Sequence, residues 1–324
     1  MSDDSAQAPL TDQPAPGSAR PVDAVDGRRL HYGEFYGERE LVANDRPVVA
    51  VVGNCQAESI RVLLAEAPSQ AVQAVRVPPI FELEQDDLPH LRSLLARADV
   101  LVAQPVRDDY RGMPLGTAQL ASWVPGGAQV VLFPSYRYNG LYPWQVEARS
   151  PYGDPPVVPY LDLRTLVTAA TGERPGHLVP AEGVREIARA SVELLRSKEQ
   201  EHDTVVASDL IEGAGVDAAH VVNHPGNTVL VGIARRLQQA IGLPVDAGDP
   251  GRTLLREIFA PLDEEVLAAL GMDAEPRPTW THRGEPLAPE VVHEAHLAWL
   301  REHPDVVDAT MDRHQATLQS LGLV

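Results

Sequence analysis

Residues 48–56 read VVAVVGNCQ and join an unbroken apolar run to a short polar stretch. Five consecutive residues of this kind, four of them valines, are typical of a strand that is buried on both faces of a parallel sheet. Beyond the polar stretch, Ile60, Leu63 and Leu64 recur at helical spacing and predict one apolar helix face. The stretch therefore predicts a buried strand, a tight turn and a helix, in that order.

The same alternation continues along the chain. Further strands are predicted at 71–77, 99–103, 128–133 and 218–222, and helices at 88–98, 180–200 and 227–241. The region after residue 250 is predicted as helices joined by Pro-rich loops. Strands that alternate with helices indicate an α/β fold with a mostly parallel central sheet covered on both faces. Such sheets carry their sites at the carboxyl ends of the strands.

Composition excludes several classes of protein. The 324 residues include 27 Lys and Arg, 46 Asp and Glu and a single cysteine, for a net charge of −19. One cysteine forms no internal disulfide and no Cys-rich zinc site. The charge argues against nucleic acid as a partner, and no apolar run is long enough for a membrane span. Residues 1–28 lack the features of a targeting signal and are expected to be a disordered tail, which favours a cytoplasmic location.

A long segment, 134–160, separates the strand predicted at 128–133 from the helix predicted at 180–200. It is rich in proline and holds five of the eight tyrosines. Long loops within compact domains are usually functional or disordered, and the aromatic content favours function. We expect this segment to act as a lid over the site.

Polar residues follow the predicted strands at their carboxyl ends. They are Gly53-Asn54-Cys55-Gln56, Gln104-Pro105, Pro134-Ser135 and Asn223-His224-Pro225. A cysteine at the start of a helix is stabilised as the thiolate by backbone N–H groups and the helix dipole. Cys55 and His224 are therefore predicted to be a nucleophile and its base. N–H groups near Asn54 to Gln56 are expected to hold a tetrahedral oxyanion.

Alternatives remain open for this pair. Cys55 is also compatible with a small buried apolar role, the commoner fate of a free cysteine. A carboxylate often orients the histidine in such sites, and Asp209 or Glu212 is the available candidate. Without either carboxylate the site is a dyad.

No metal site is predicted. His293 and His296 are three residues apart, but the order of residues is not HExxH and no third ligand is suitably spaced. An exposed charged helix is the preferred interpretation. Trp280 and Trp299 are expected to anchor the C-terminal helices in a core.

The chain resembles the WcbI-type polysaccharide biosynthesis enzymes in two motifs: GNCQ after a buried strand, and NHPGN at 223–227 before a long helix. Gln104-Pro105 and the FPSY stretch at 133–136 support the resemblance, which covers residues 46–271. It implies a three-layer fold like that of the SGNH/GDSL hydrolases, with cysteine in the nucleophile position. It also implies acetylation of a capsular sugar and binding of coenzyme A.

The resemblance extends to individual residues. It implies Cys55 as nucleophile and His224 as base. Polar contacts to the oxyanion or substrate are expected from Gly53, Asn54, Gln56, Gln104, Ser135, Asn139 and Asn227. Contacts to the coenzyme are expected from Arg107, Arg111, Arg137, Tyr136 and Tyr142. Guanidinium groups suit the phosphates of coenzyme A, although each arginine is equally compatible with an ordinary surface role.

The leading function is transfer of an acyl group from a coenzyme A thioester to a hydroxyl or amine of a sugar or small molecule, and the resemblance implies that this group is acetyl. A Cys-dependent thioesterase or esterase and a non-catalytic coenzyme- or sugar-binding protein are the alternatives. The expected organisation is a tail at 1–28, a catalytic domain at 29–271 and a helical extension at 272–324.

Overall fold

The apolar run 48–52 forms a strand in a computed structural model that describes residues 22–176 and 179–324. The strands are β1 Val48–Val52, β2 Gln73–Val75, β3 Val100–Ala103, β4 Gln129–Leu132, β5 Gln145–Glu147, β6 Tyr160–Asp162, β7 Ile258–Phe259, β8 Trp280–His282 and β9 Glu285–Leu287. The helices are α1 Val22–His31, α2 Gly33–Tyr36, α3 Cys55–Ala65, α4 Leu88–Leu95, α5 Thr117–Ala121, α6 Leu163–Thr171, α7 Ala181–His202, α8 Leu210–Ala214, α9 Asn227–Ile241, α10 Glu264–Leu270, α11 Pro289–Glu302, α12 Pro304–Arg313 and α13 Gln315–Ser320.

The described residues form two compact units. We call residues 22–138 and 190–256 the sheet unit, and residues 139–176, 179–189 and 257–324 the helical unit. The three segments expected from the sequence divide the chain differently, and their boundaries stay predictions. Most of the expected tail, 1–28, lies outside the described residues, but residues 22–28 belong to α1.

The sheet unit is built on four parallel strands in the order β2-β1-β3-β4. One face packs against α4 through a core that includes Ala50, Val52, Leu101 and Leu91. On α3 the predicted apolar positions Ile60, Leu63 and Leu64 are all buried. The predicted α/β architecture with a parallel sheet is confirmed.

Two strand predictions in this unit need correction. The strand at 128–133 was expected to be buried, but β4 lies at the sheet edge, where Val130 is 41% exposed. The segment 218–222 forms no strand: residues 215–218 are a 3-10 turn, and Val221 makes only an isolated bridge with His224. Its apolar side chains are buried without a neighbouring strand to pair with.

The helical unit has more β structure than expected. β5 lies within the segment predicted as a long loop and pairs antiparallel with β6, which begins at the last residue of that segment. β7, β8 and β9 form a three-stranded antiparallel sheet. These strands have two or three residues each, too short to produce a periodic signal. Trp144, Leu161, Leu166 and Leu300 are buried in this unit's core.

Candidate active site

Cys55 lies at the first position of α3, directly after β1. Asn54 is the N-cap of this helix, and its Oδ1 atom accepts a 2.9 Å hydrogen bond from the Gln56 N–H group. Cys55 is half-buried. The positive end of the helix dipole therefore acts on its sulfur, which favours the thiolate.

His224 lies 3.5 Å from this sulfur, measured from Nε2 to Sγ. A tight turn holds the histidine: its N–H group donates to Val221 O at 3.0 Å, and its carbonyl accepts from the His220 N–H group at 2.8 Å. The structure thus brings together two residues that are 169 positions apart in the sequence. A thiol and an imidazole at this distance are within reach of proton transfer.

Gln56 ties two loops to the start of α3. Its Nε2 atom donates to Tyr136 O at 2.8 Å and to Asn223 O at 2.7 Å. Its Oε1 atom accepts from the Tyr136 N–H group and from Gln104 Nε2, both at 3.0 Å. These bonds use both amide hydrogens and both acceptor positions. Gln56 therefore positions the residue before His224 and has no capacity left for substrate.

Gln104 supports the turn in the same way. Its Oε1 atom accepts from the Asn54 N–H group at 2.8 Å, and its Nε2 atom also donates to Pro134 O at 3.3 Å. A Cβ atom on Gly53 would lie 2.5 Å from Gln104 Oε1. Glycine is needed here because the Gln104 side chain crosses directly over the backbone.

Two of the three N–H groups expected to hold an oxyanion, those of Asn54 and Gln56, are already engaged in the structure. The N–H groups of Asn54 and Gln56 both donate to side chains, as described above. At the same turn, Asn54 Nδ2 donates to the exposed Ser135 Oγ at 3.3 Å.

Asp209, one of the two carboxylates proposed to orient the histidine, binds an arginine. Both oxygens of Asp209 accept from Arg236, at 2.6 and 2.7 Å, and these bonds hold the pKa of Asp209 below its usual value. Asp209 is thus engaged with Arg236, and the part of Glu212 stays a prediction.

Asp217 is a further residue near His224 that the sequence did not single out. Its Oδ1 atom lies 3.6 Å from His220 Nε2, and its Oδ2 atom accepts from the Thr228 N–H group at 2.7 Å. Burial raises the pKa of Asp217, but the bonds from His220 and Thr228 outweigh it and the pKa is lowered. The spacing of three residues between Asp217 and His220 was the available signal. This pair supports the turn that carries His224.

The three arginines expected to bind the coenzyme have different surroundings from one another. Arg111 donates to Phe81 O, and the neighbouring Ile80 N–H group donates to Gly53 O at 2.8 Å, so Arg111 is anchored beside the turn that holds Cys55. Arg137 is half-buried and lies between two residues whose backbones bind Gln56 and Val222. Arg107 is exposed, and no contact places it at the site.

Both tyrosines expected to contact the coenzyme are buried in the structure. Tyr136 is 1% exposed, and its hydroxyl donates to Ala218 O at 2.8 Å. Tyr142 is 3% exposed and belongs to the helical unit, where its hydroxyl accepts from Arg277 at 2.9 Å. Burial raises the pKa of Tyr142 to about 12. Both side chains serve as core residues with a satisfied hydroxyl.

The two remaining asparagines bind backbone. Asn227, the first residue of α9, accepts from the Leu254 N–H group at 2.9 Å and donates to Arg252 O at 2.8 Å. Asn139 lies in the helical unit and donates to Gln145 O at 3.0 Å. In the structure both side chains hold neighbouring segments in place.

The helix with the paired histidines is less exposed than expected. His296 is 1% exposed and lies 3.0 Å from Pro156 O and Val158 O, while His293 is 2.7 Å from Thr165 Oγ1. Across residues 22–176 and 179–324, no group of three or more His, Cys, Asp or Glu side chains is arranged to hold a metal ion. In the same part of the chain, no helix has the length and apolar character needed to cross a bilayer.

Two comparisons relate the chain to known proteins. A model of the family "Polysaccharide biosynthesis enzyme WcbI" matches residues 48–246. A solved structure of WcbI, described as a novel polysaccharide biosynthesis enzyme, is 20% identical with a TM-score of 0.73, over 86% of this chain and 98% of that one. It is the native form without a disulfide bond between coenzyme A and a cysteine of that protein. No curated protein matches the chain significantly.

Proposed function

Because the chain belongs to the WcbI family of polysaccharide biosynthesis enzymes, we propose that it is an acyltransferase with a coenzyme A thioester as donor. The 3.5 Å separation between Cys55 Sγ and His224 Nε2 at the start of α3 carries this proposal. It supplies a nucleophile, a base and a helix N-terminus at one point, which is the arrangement that thiol-based acyl transfer uses.

In the first half-reaction, His224 Nε2 takes the proton of the Cys55 thiol. The thiolate attacks the carbonyl carbon of the acyl thioester, and the bond between that carbon and the coenzyme sulfur breaks. The leaving sulfur takes the proton back from His224, so free coenzyme A departs as the thiol. Cys55 then carries the acyl group as a thioester.

In the second half-reaction, His224 takes a proton from a hydroxyl or amine of the acceptor. The acceptor oxygen or nitrogen attacks the acyl-Cys55 carbonyl, and Cys55 leaves and regains its proton from His224. We place Asn54 Nδ2 and Ser135 Oγ at the tetrahedral oxyanion, because Asn54 directly precedes Cys55 and its Nδ2 atom donates to the exposed Ser135 Oγ. The family description supports a sugar as the acceptor.

Other residues have supporting parts in this proposal. Arg111, held next to the residue that binds Gly53, and Arg137, which follows Tyr136, bind the phosphates of the donor, with Arg107 as a further contact. Gln56 and Gln104 are positioning residues, since their amides hold the loops around Cys55. A cytoplasmic location, which keeps the single thiol reduced, fits this chemistry.

Intact-mass spectrometry of the protein with acetyl-coenzyme A tests the proposal. We expect one acetyl group on wild type, none on Cys55→Ser and slow acetylation of His224→Gln, while the control His202→Gln behaves as wild type. Cys55 is the only cysteine, so thiol labelling has no background. Release of coenzyme A at the same rate with and without an acceptor would indicate a hydrolase. No acyl adduct and no alkylation of Cys55 at neutral pH would leave only a binding role.

A further inference from the structure

The helical unit contains a cavity of about 270 Å³ that is lined by residues of this unit. Its walls include the aromatic side chains of Trp144 and Trp280 and the apolar side chain of Val292. Gln145 and His293 add polar groups. This volume lies just below the usual range of small-molecule sites, about 300–1,000 Å³, and suits a small ligand.

Gln145 brings a buried acceptor to this cavity. The residue is 6% exposed, and its Oε1 atom accepts no hydrogen bond from any residue in 22–176 or 179–324. Its backbone is satisfied: the N–H group donates to Tyr142 O and the carbonyl accepts from Asn139, both at 3.0 Å. A buried amide oxygen without a donor is unfavourable, so this position favours a ligand that supplies an N–H or O–H group.

The charged side chains around the cavity carry a net negative charge. Four carboxylates and two guanidinium groups line it: Asp162, Asp263, Glu265, Glu290, Arg164 and Arg174. Arg164 is shared by two of the carboxylates, at 2.6 Å from Asp162 and 3.3 Å from Asp263. Burial lowers the pKa of His293 and His296, so neither offsets the acidic excess at pH 7. The lining stays negative even with Asp263, whose pKa burial raises, protonated.

We propose that this cavity binds a small molecule that carries a protonated amine, with Gln145 Oε1 accepting a hydrogen bond from the ammonium group. The surplus carboxylates attract the charge, and Trp280 and Val292 pack against the ring or chain that bears it. A phosphate or a free carboxylate is disfavoured by the same lining. The body of the ligand is either hydroxylated, as in an amino sugar, or a plain hydrocarbon ring.

Calorimetric titration of the whole protein tests this site. The probes are glucosamine and cyclohexylmethylamine, each compared with its neutral counterpart, glucose or cyclohexylmethanol. We expect at least one amine to bind about tenfold more tightly than its counterpart, which is the scale of a hydrogen bond to a charged group. The tighter amine identifies the body of the ligand. Absence of binding by both amines, or equal binding by an amine and its counterpart, overturns the proposal.

Variants locate the binding. Gln145→Leu removes the acceptor and is expected to weaken amine binding about tenfold, whereas Gln145→Glu adds a charge and strengthens it. A matched pair on α11 tests the electrostatic part: Glu290→Gln in the lining weakens binding, and Glu302→Gln at the far end of the same helix does not. Thermal unfolding checks that each variant is folded. Unchanged affinity in both Gln145→Leu and Glu290→Gln overturns the proposal.

Discussion

Gln56 is the residue through which the start of α3 holds the neighbouring loops. We predict that Gln56→Leu lowers the free energy of unfolding by about 3–4 kcal/mol, because it removes four hydrogen bonds, including those to the buried carbonyl and N–H group of Tyr136. Urea unfolding measures this loss. Gln239→Leu, at an exposed position on α9, is the control and is expected to be nearly neutral. A similar loss in both variants would contradict the positioning role.

Gly53 and Gln104 form a coupled pair. We predict that Gly53→Ala costs about 1–3 kcal/mol, because its new Cβ atom would meet Gln104 Oε1 at 2.5 Å. In the Gln104→Ala background the clash is removed, and the same substitution should cost much less. A double-mutant cycle on unfolding free energies measures the coupling. Additive effects would show that the Gln104 side chain does not require glycine.

At this scale the sequence indicates which residues gather at the site but not how they bind. Cys55 and His224 are predicted to meet because each follows a predicted strand, and the structure places them 3.5 Å apart, although the segment before His224 forms no strand. The parts of Gln56 and Gln104 depend on which backbone groups the fold brings to their amides, and that information is tertiary. Asp217 is harder to predict because only its spacing of three from His220 is a local signal, while its partners Gly226 and Thr228 lie about ten positions away.

Helix α3 depends on its N-cap for both stability and chemistry. We predict that Asn54→Ala destabilises the protein by about 1 kcal/mol, since the Gln56 N–H group loses its acceptor. Asn54→Asp keeps the cap but puts a negative charge beside Cys55, which disfavours the thiolate and slows its alkylation at neutral pH. Unfolding in urea and the rate of reaction with iodoacetamide report the two effects. Faster alkylation of Asn54→Asp would contradict this account.

Elements with a strong local signal are predicted well. Helix α9 has the predicted bounds because its apolar period is long and Gly242, at φ +82°, ends it in the left-handed conformation. Strand β4 is found, but its exposure depends on being at the sheet edge, which no local pattern encodes. The apolar run 218–222 is misread as a strand for a related reason: burial alone satisfies it when no partner strand lies alongside.

At the scale of the molecule, composition leaves few groups that titrate above pH 8. Arginines stay charged throughout this range, and Lys198 is the only lysine. Burial raises the pKa of Tyr138 and Tyr142 to about 12, and burial together with the Asp87 hydrogen bond does the same for Tyr36. In a chain this poor in lysine, we therefore expect buried tyrosines to dominate the pH dependence of the free energy of unfolding at alkaline pH.

The sign of that dependence follows from linkage. A tyrosine with a folded-state pKa of about 12 and an unfolded value near 10 stabilises the fold fully below pH 10, and the contribution is lost as the pH rises toward 12. Each such group is expected to remove up to about 2–3 kcal/mol, and urea unfolding between pH 8 and 11.5 measures the total. Tyr138→Phe should flatten the profile, whereas Tyr152→Phe, at a position that is 53% exposed, should not. Ionisation of every tyrosine near pH 10, followed at 295 nm in a protein that stays folded, would contradict the prediction.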